Sequence, residues 1–258
     1  LALIAHSIRG DNMLELCSPA EVAITIPSFS AIFLVQLREY LDFSGDCDFA
    51  REMMPVAERI AGEFIRRADN ETGLIKCFGE QKYWNFYEWQ SGLDGSISGS
   101  VPDEERTYDA PLNSFVSLGL NSLALICAKL GLSKKESYYG GAHLALSEAI
   151  GKAFYDEGRG CFASYLLEGK LSHYCELTNS LAVCAGAVSD DRLPSVLEAI
   201  AGGNLLPITL SHSIFKYDAL MRDRDKYGRY VFGNIAELWG HMLNSGATSF
   251  WETIDGEA

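Results

Sequence analysis

The sequence predicts an all-α chain, an incomplete α/α toroid of about four helical hairpins packed in an arc. Three observations predict it. Apolar residues recur at helical spacing in paired segments. Proline, glycine, acidic and hydroxyl residues stand where those segments begin and end. The connections within each pair are short, as in helical hairpins.

The first helix opens at Pro27, which a first turn tolerates, and carries Phe29, Ile32, Phe33, Leu37, Tyr40 and Leu41 before Gly45 stops it. Asp48 is placed to cap the second, whose stripe is Phe49, Met53, Val56, Ile60 and Phe64. Pro111 opens the third, with Leu112, Phe115, Leu120, Leu123, Cys127 and Leu130 running to Gly131. Ser133 and Glu136 are spaced as a capping box for the fourth, which carries Tyr139, Leu146, Ile150 and Phe154. A shorter pair follows, with Leu177, Leu181, Cys184 and Val188 on one helix and a second from near Asp191 to Gly202-Gly203. The last pair spans about 211–223 and 227–244, with Phe232, Ile235, Trp239 and Met242 on one face. Cys161 to Leu166 followed by Glu168-Gly169 reads as a small β-hairpin.

Helical periodicity fails over 70–109, a connection long enough to be functional within the single domain 1–258. It holds the run Tyr83-Trp84-Asn85-Phe86-Tyr87-Glu88-Trp89, and then 91–105, rich in Ser, Gly and acid, which reads as an exposed turn.

A formal net charge of −14 disfavours nucleic acid and anionic membranes, which need basic patches to displace counterions. No apolar run reads as a membrane span, and no signal-peptide pattern follows Leu1. The cysteine count is odd, seven without a CxxC pair, which argues against a disulfide framework or structural zinc and for reduced thiols in the cytoplasm. The histidines at 6, 143, 173, 212 and 241 form no His-x-x-x-His pair, so no metal is expected. His143 and His241 fall within helices and read as core or interface residues. Phosphate-loop, dinucleotide and nucleophile-elbow patterns are missing, and no cofactor is expected.

The residues that carry chemistry are aromatic and acidic. The chain closes on Gly246-Ala247-Thr248-Ser249-Phe250-Trp251-Glu252. A carboxylate beside a large ring suits a sugar site, where the ring packs on the pyranose face and the carboxylate moves protons. Context alone leaves Glu252 balanced between site base and surface carboxylate, and Trp251 between sugar platform and core. Trp84 and Trp89, five apart in an aperiodic segment, favour sugar stacking over a core stripe. Glu88 suits either sugar hydroxyls or a bridge to an arginine, whereas Asn179, early in its helix, reads as structural.

In order along the chain, Ile26-Pro27-Ser28-Phe29-Ser30, Tyr40-Leu41 with Gly45-Asp46, Trp84-Asn85-Phe86-Tyr87-Glu88-Trp89, Thr178-Asn179-Ser180-Leu181-Ala182 and the closing Gly-Ala-Thr-Ser-Phe-Trp-Glu resemble the catalytic domain of bacterial α-L-rhamnosidases. The resemblance implies a six-hairpin α/α barrel and an inverting glycosidase, with Glu252 as general base and Trp84, Glu88, Trp89 and Trp251 binding a rhamnoside. Glu88 stands where that family has Asp, one methylene shorter. The family's acidic Arg-Asp-Glu segment has no counterpart in residues 1–25, so the general acid is not found here and the chain reads as an internal piece of a longer protein.

The contrasting reading is a carbohydrate-binding or scaffold module on a helical barrel, without turnover; a complete carboxylate pair would separate the two. A lyase would need a Tyr, His or Arg cluster, and the spacing of His212 and Tyr217 does not supply one. A partial barrel leaves inner apolar faces uncovered, from which a homo-oligomer is expected.

Overall fold

The computed structural model describes residues 1–18, 24–95, 106–167 and 169–254. After a short helix α1 (Ala2–His6), the chain forms four antiparallel pairs: α2 (Pro27–Ser44) with α3 (Cys47–Arg67), α4 (Ala110–Lys129) with α5 (Ser133–Ala153), α6 (Glu176–Cys184) with α7 (Leu193–Ala201), and α8 (Ser213–Leu220) with α9 (Arg224–Asn244). The first helix of each pair packs on the first of the next, so α2, α4, α6 and α8 form an inner row backed by α3, α5, α7 and α9. The arc does not close, which makes it an incomplete α/α toroid.

Burial follows this arrangement. Inner helix α4 is buried nearly all round, from Ala110 and Leu112 to Ile126 and Cys127. Its length and apolarity would suffice to cross a membrane, contrary to the reading of no such run, yet most of it is enclosed by its neighbours. Gly119 lets α2 approach closely: a Cβ there would meet the Ala31 carbonyl oxygen at 3.0 Å. The outer helices bury one stripe only.

The caps depart from expectation at two helices. Asp46, not Asp48, caps α3, its Oδ1 accepting from the Phe49 N–H at 3.0 Å. No capping box forms at α5, because Ser133 is already its first helical residue and Leu132 holds the cap position. On α9 the buried stripe is Tyr227, Val231 and Met242; Phe232 lies one residue off it and is 69% exposed.

Within pairs the turns are short, and all gather at one end. Antiparallel alternation sends every connection between pairs to the other end, where the chain is long and irregular. Three-stranded antiparallel pairing of β1 (Arg106–Asp109), β4 (Tyr165–Leu167) and β5 (Lys170–Ser172) forms there, beside the two-stranded ladder of β2 (Tyr155–Asp156) and β3 (Cys161–Phe162). The hairpin read from Cys161 onward is thus present as β4 and β5, while β1 carried no strand signal. Of the segment read as an exposed turn, Leu93 is fully buried and 96–105 lie outside the described residues.

Candidate active site

Buried polar side chains at the starts of the inner helices hold the long loops in place. The fourth residue of each inner helix is one of them: Ser30, Asn113, Asn179 and Lys216. Ser30 Oγ accepts from the Leu14 N–H at 3.0 Å. Asn113 accepts from the Ile75 N–H at 2.8 Å and donates to the Ile75 carbonyl at 2.9 Å. Asn179 does the same with Phe162, at 2.7 and 3.0 Å. Each asparagine thereby satisfies both backbone groups of one residue outside its own helix, Ile75 in the long loop and Phe162 at the end of β3. Asn179 accords with its structural reading; Ser30, Asn113 and Lys216 were missed, and aligning the helix starts would have shown a polar residue at a shared offset in apolar surroundings.

The aromatic segment lies over the start of α2. Thr25 N–H donates to Lys82 O and Trp84 N–H to Thr25 O, at 2.9 and 2.8 Å. Ser28 Oγ donates to the Phe86 carbonyl at 2.9 Å, and Asn85 pairs both ways with Phe78. The rings of Trp84, Phe86 and Trp89 then form one cluster, with centroids 4.8 Å apart from Phe86 to each tryptophan. Trp84 Nε1 donates to the Asp94 carbonyl at 3.1 Å. Gly95 follows at φ +85°, and a Cβ there would lie 2.1 Å from that nitrogen, so only glycine lets the turn close over the indole. Trp84 is half-buried and Trp89 is 39% exposed, leaving aromatic surface open to solvent.

Glu88, between these rings and the arc, has no exposed surface. Its Oε2 accepts from the Thr209 N–H and from Thr209 Oγ1, both at 2.8 Å, while Oε1 has no partner. Burial pushes this carboxyl up to about 7, opposed by the Thr209 hydrogen bonds and reinforced by the Glu176 carboxylate. Glu176, at the start of α6, accepts on Oε2 from the Ile208 N–H at 3.0 Å and from Lys216 Nζ at 2.8 Å. Burial disfavours the Lys216 charge, but Glu176 and Tyr230 more than offset it and hold the amine above its ordinary range.

The C-terminal stretch reaches the same segment. Ser211 N–H donates to the Glu252 carbonyl in a long hydrogen bond of 3.4 Å, and the Glu252 side chain is exposed. Trp251 is half-buried, its N–H on Met242 Sδ at 3.4 Å and its ring edge-on to His241. A cavity of about 380 Å³ opens beside them, lined on its polar side by Gln90, Glu176, Thr209, Lys216, Asn234 and Thr253. The structure therefore links Glu88 to the Glu252 segment through residues 209–211, and places Gln90, next to Trp89, on the same cavity as Thr253. Trp84 and Trp251 keep to separate ring clusters.

Elsewhere, burial drives His212 down to about 4, so it stands neutral against Phe115 and Phe215. His143 lies within hydrogen-bond reach of Ser117 and Ser147. Among the described residues no three His, Cys, Asp or Glu side chains are grouped to hold a metal ion.

No protein-family model and no curated protein matches the chain. Among solved structures it is similar to the GH78 family rhamnosidase of Bacillus sp. GL1, with a TM-score of 0.81 and 21% identity over 98% of this chain and 25% of that one. It is also similar to a rhamnosidase from Klebsiella oxytoca with rhamnose bound, at TM-score 0.72 and 19% identity over 95% of this chain and 45% of that one. A native α-L-rhamnosidase from Aspergillus terreus superposes with TM-score 0.68 and 15% identity over 98% of this chain and 29% of that one. The chain thus spans less than half the length of each of these proteins. At such identities the likeness establishes the fold, and that fold is one the chain shares with three rhamnosidases.

Proposed function

We propose that this chain carries part of the sugar site of an inverting glycoside hydrolase that removes terminal α-L-rhamnose. The observation that carries the reading is that Gln90, next after the aromatic run, and Thr253, next after Trp251-Glu252, line one cavity at the loop end of the arc, with the Glu252 carbonyl held by Ser211 beside it. The cavity is large enough for a monosaccharide, and its mixture of amides, hydroxyls and an ion pair with apolar walls suits a neutral polyol. Glu252, exposed at its border, acts as general base on the water that attacks the anomeric carbon. The exposed faces of Trp84, Trp89 and Trp251 pack on the sugar ring and its neighbour, and Glu88 supports them from beneath.

Hydrolysis of 4-nitrophenyl α-L-rhamnoside, whose phenolate leaves without protonation by a general acid, compared between the protein and Glu252→Gln, tests this. A general base contributes about 10²–10⁴-fold, so kcat falls by that factor with KM little changed. An unaltered rate would remove Glu252 from the mechanism. Rhamnose binding without turnover would favour a binding module instead.

A further inference from the structure

The segment under Glu252 is held by two carboxyl groups that never reach solvent in force: Glu88 has no exposed surface and Glu176 is 5% exposed. They come from different parts of the chain, the aromatic loop and the start of α6. They grip neighbouring residues, Glu176 the Ile208 N–H and Glu88 the N–H and hydroxyl of Thr209. Two residues on, Ser211 holds the Glu252 carbonyl. We propose that Glu88 and Glu176 are positioning residues for Glu252, a double carboxyl clamp that fixes the Ile208–Ser211 segment on which the Glu252 backbone rests. The inference depends on the reading of Glu252 as the general base.

The two halves of the clamp carry different charge. Glu176 is neutralised by Lys216, so it grips as a carboxylate. Glu88 faces Glu176, the Cys175 thiol and Thr209, and among the described residues no cation is paired with it. Burial pushes Cys175 up to about 11, so the thiol stays neutral. With Oε1 unpartnered, Glu88 is accommodated best as the neutral acid, accepting through Oε2. Its group titrates near 7, which sets the direction: the neutral clamp holds below that pH, and raising the pH through it places a second buried negative charge beside Glu176 and loosens the segment.

Amide hydrogen exchange on the full chain tests the clamp whatever chemistry Glu252 performs. Glu88→Ala should lower the protection of Thr209 and Ser211 at least tenfold and extend the loosening to 251–253, with α4 and α5 unchanged. Glu88→Gln keeps a neutral acceptor at the same place. It should restore protection and abolish the loss that the parent shows between pH 6 and pH 8 after correction for intrinsic exchange. Unchanged protection in the Ala variant, or equal pH dependence in the parent and the Gln variant, overturns the proposal. If Glu88→Ala unfolds the chain, the Gln comparison decides alone. On an aryl α-L-rhamnoside, Glu88→Ala should lower kcat more than it raises KM, and Glu88→Gln should recover it. A Glu252→Gln variant that hydrolyses at the parent rate would sink the base assignment while leaving the exchange result standing.

Discussion

Asn113 and Lys216 occupy the same place in two inner helices and solve the same problem differently. Asn113, like Asn179, uses a neutral amide to pair both backbone groups of a residue outside its own helix. Lys216 offers only donors, so it needs Glu176, and Glu176 in turn grips Ile208. The amide positions are closed on themselves, whereas the lysine position places a buried ion pair on the wall of the cavity next to Glu252. A buried pair is a weak source of stability, since desolvation cancels much of the attraction. Its presence at one inner helix, where amides serve at two others, marks that end of the arc as specialised.

The comparison breaks most severely at the charged position. Lys216→Met leaves Glu176 buried without its cation and should cost about 3–5 kcal/mol in chemical denaturation. The double variant with Glu176→Leu should cost clearly less than the two singles summed, because the partners act as a unit. Additive losses would show that the pair is not coupled. Asn179→Ala, which strands both backbone groups of Phe162, should cost about 2–3 kcal/mol, with Asn113→Ala similar. A loss at Asn179 equal to that at Lys216 would erase the distinction between the two kinds of clamp. Smallest is the effect at the short-turn end. Asp46→Ala removes the cap of α3 and should lower stability by about 1 kcal/mol, with amide exchange around Thr209 unaffected.

How much the sequence disclosed differs between the two ends. At the short-turn end, Gly45 and Gly131 marked helix limits correctly because capping is local chemistry, read within a few residues. Even there Ser133 misled, since a capping box depends on which residue takes the first helical conformation. At the loop end, the aromatic run at 83–89 stood out by composition, but its partners lie far away in the chain: Glu88 meets Thr209 across 121 residues. Nothing in the spacing of residues 88, 176 and 216 announces a cluster.

The sequence by itself determined the hairpins, most of their apolar stripes but not the places of Phe29 and Phe232, and the candidate residues Trp84, Glu88, Trp89, Trp251 and Glu252, because side-chain periodicity and end chemistry are properties of short segments. Only the tertiary structure decided that Asp46 caps α3, that Phe232 faces outward, and that Glu88 lies buried while Glu252 lies exposed. Those outcomes depend on which surfaces meet when the arc assembles. The charge state of a carboxyl follows from that burial, and no reading of neighbours along the chain contains it.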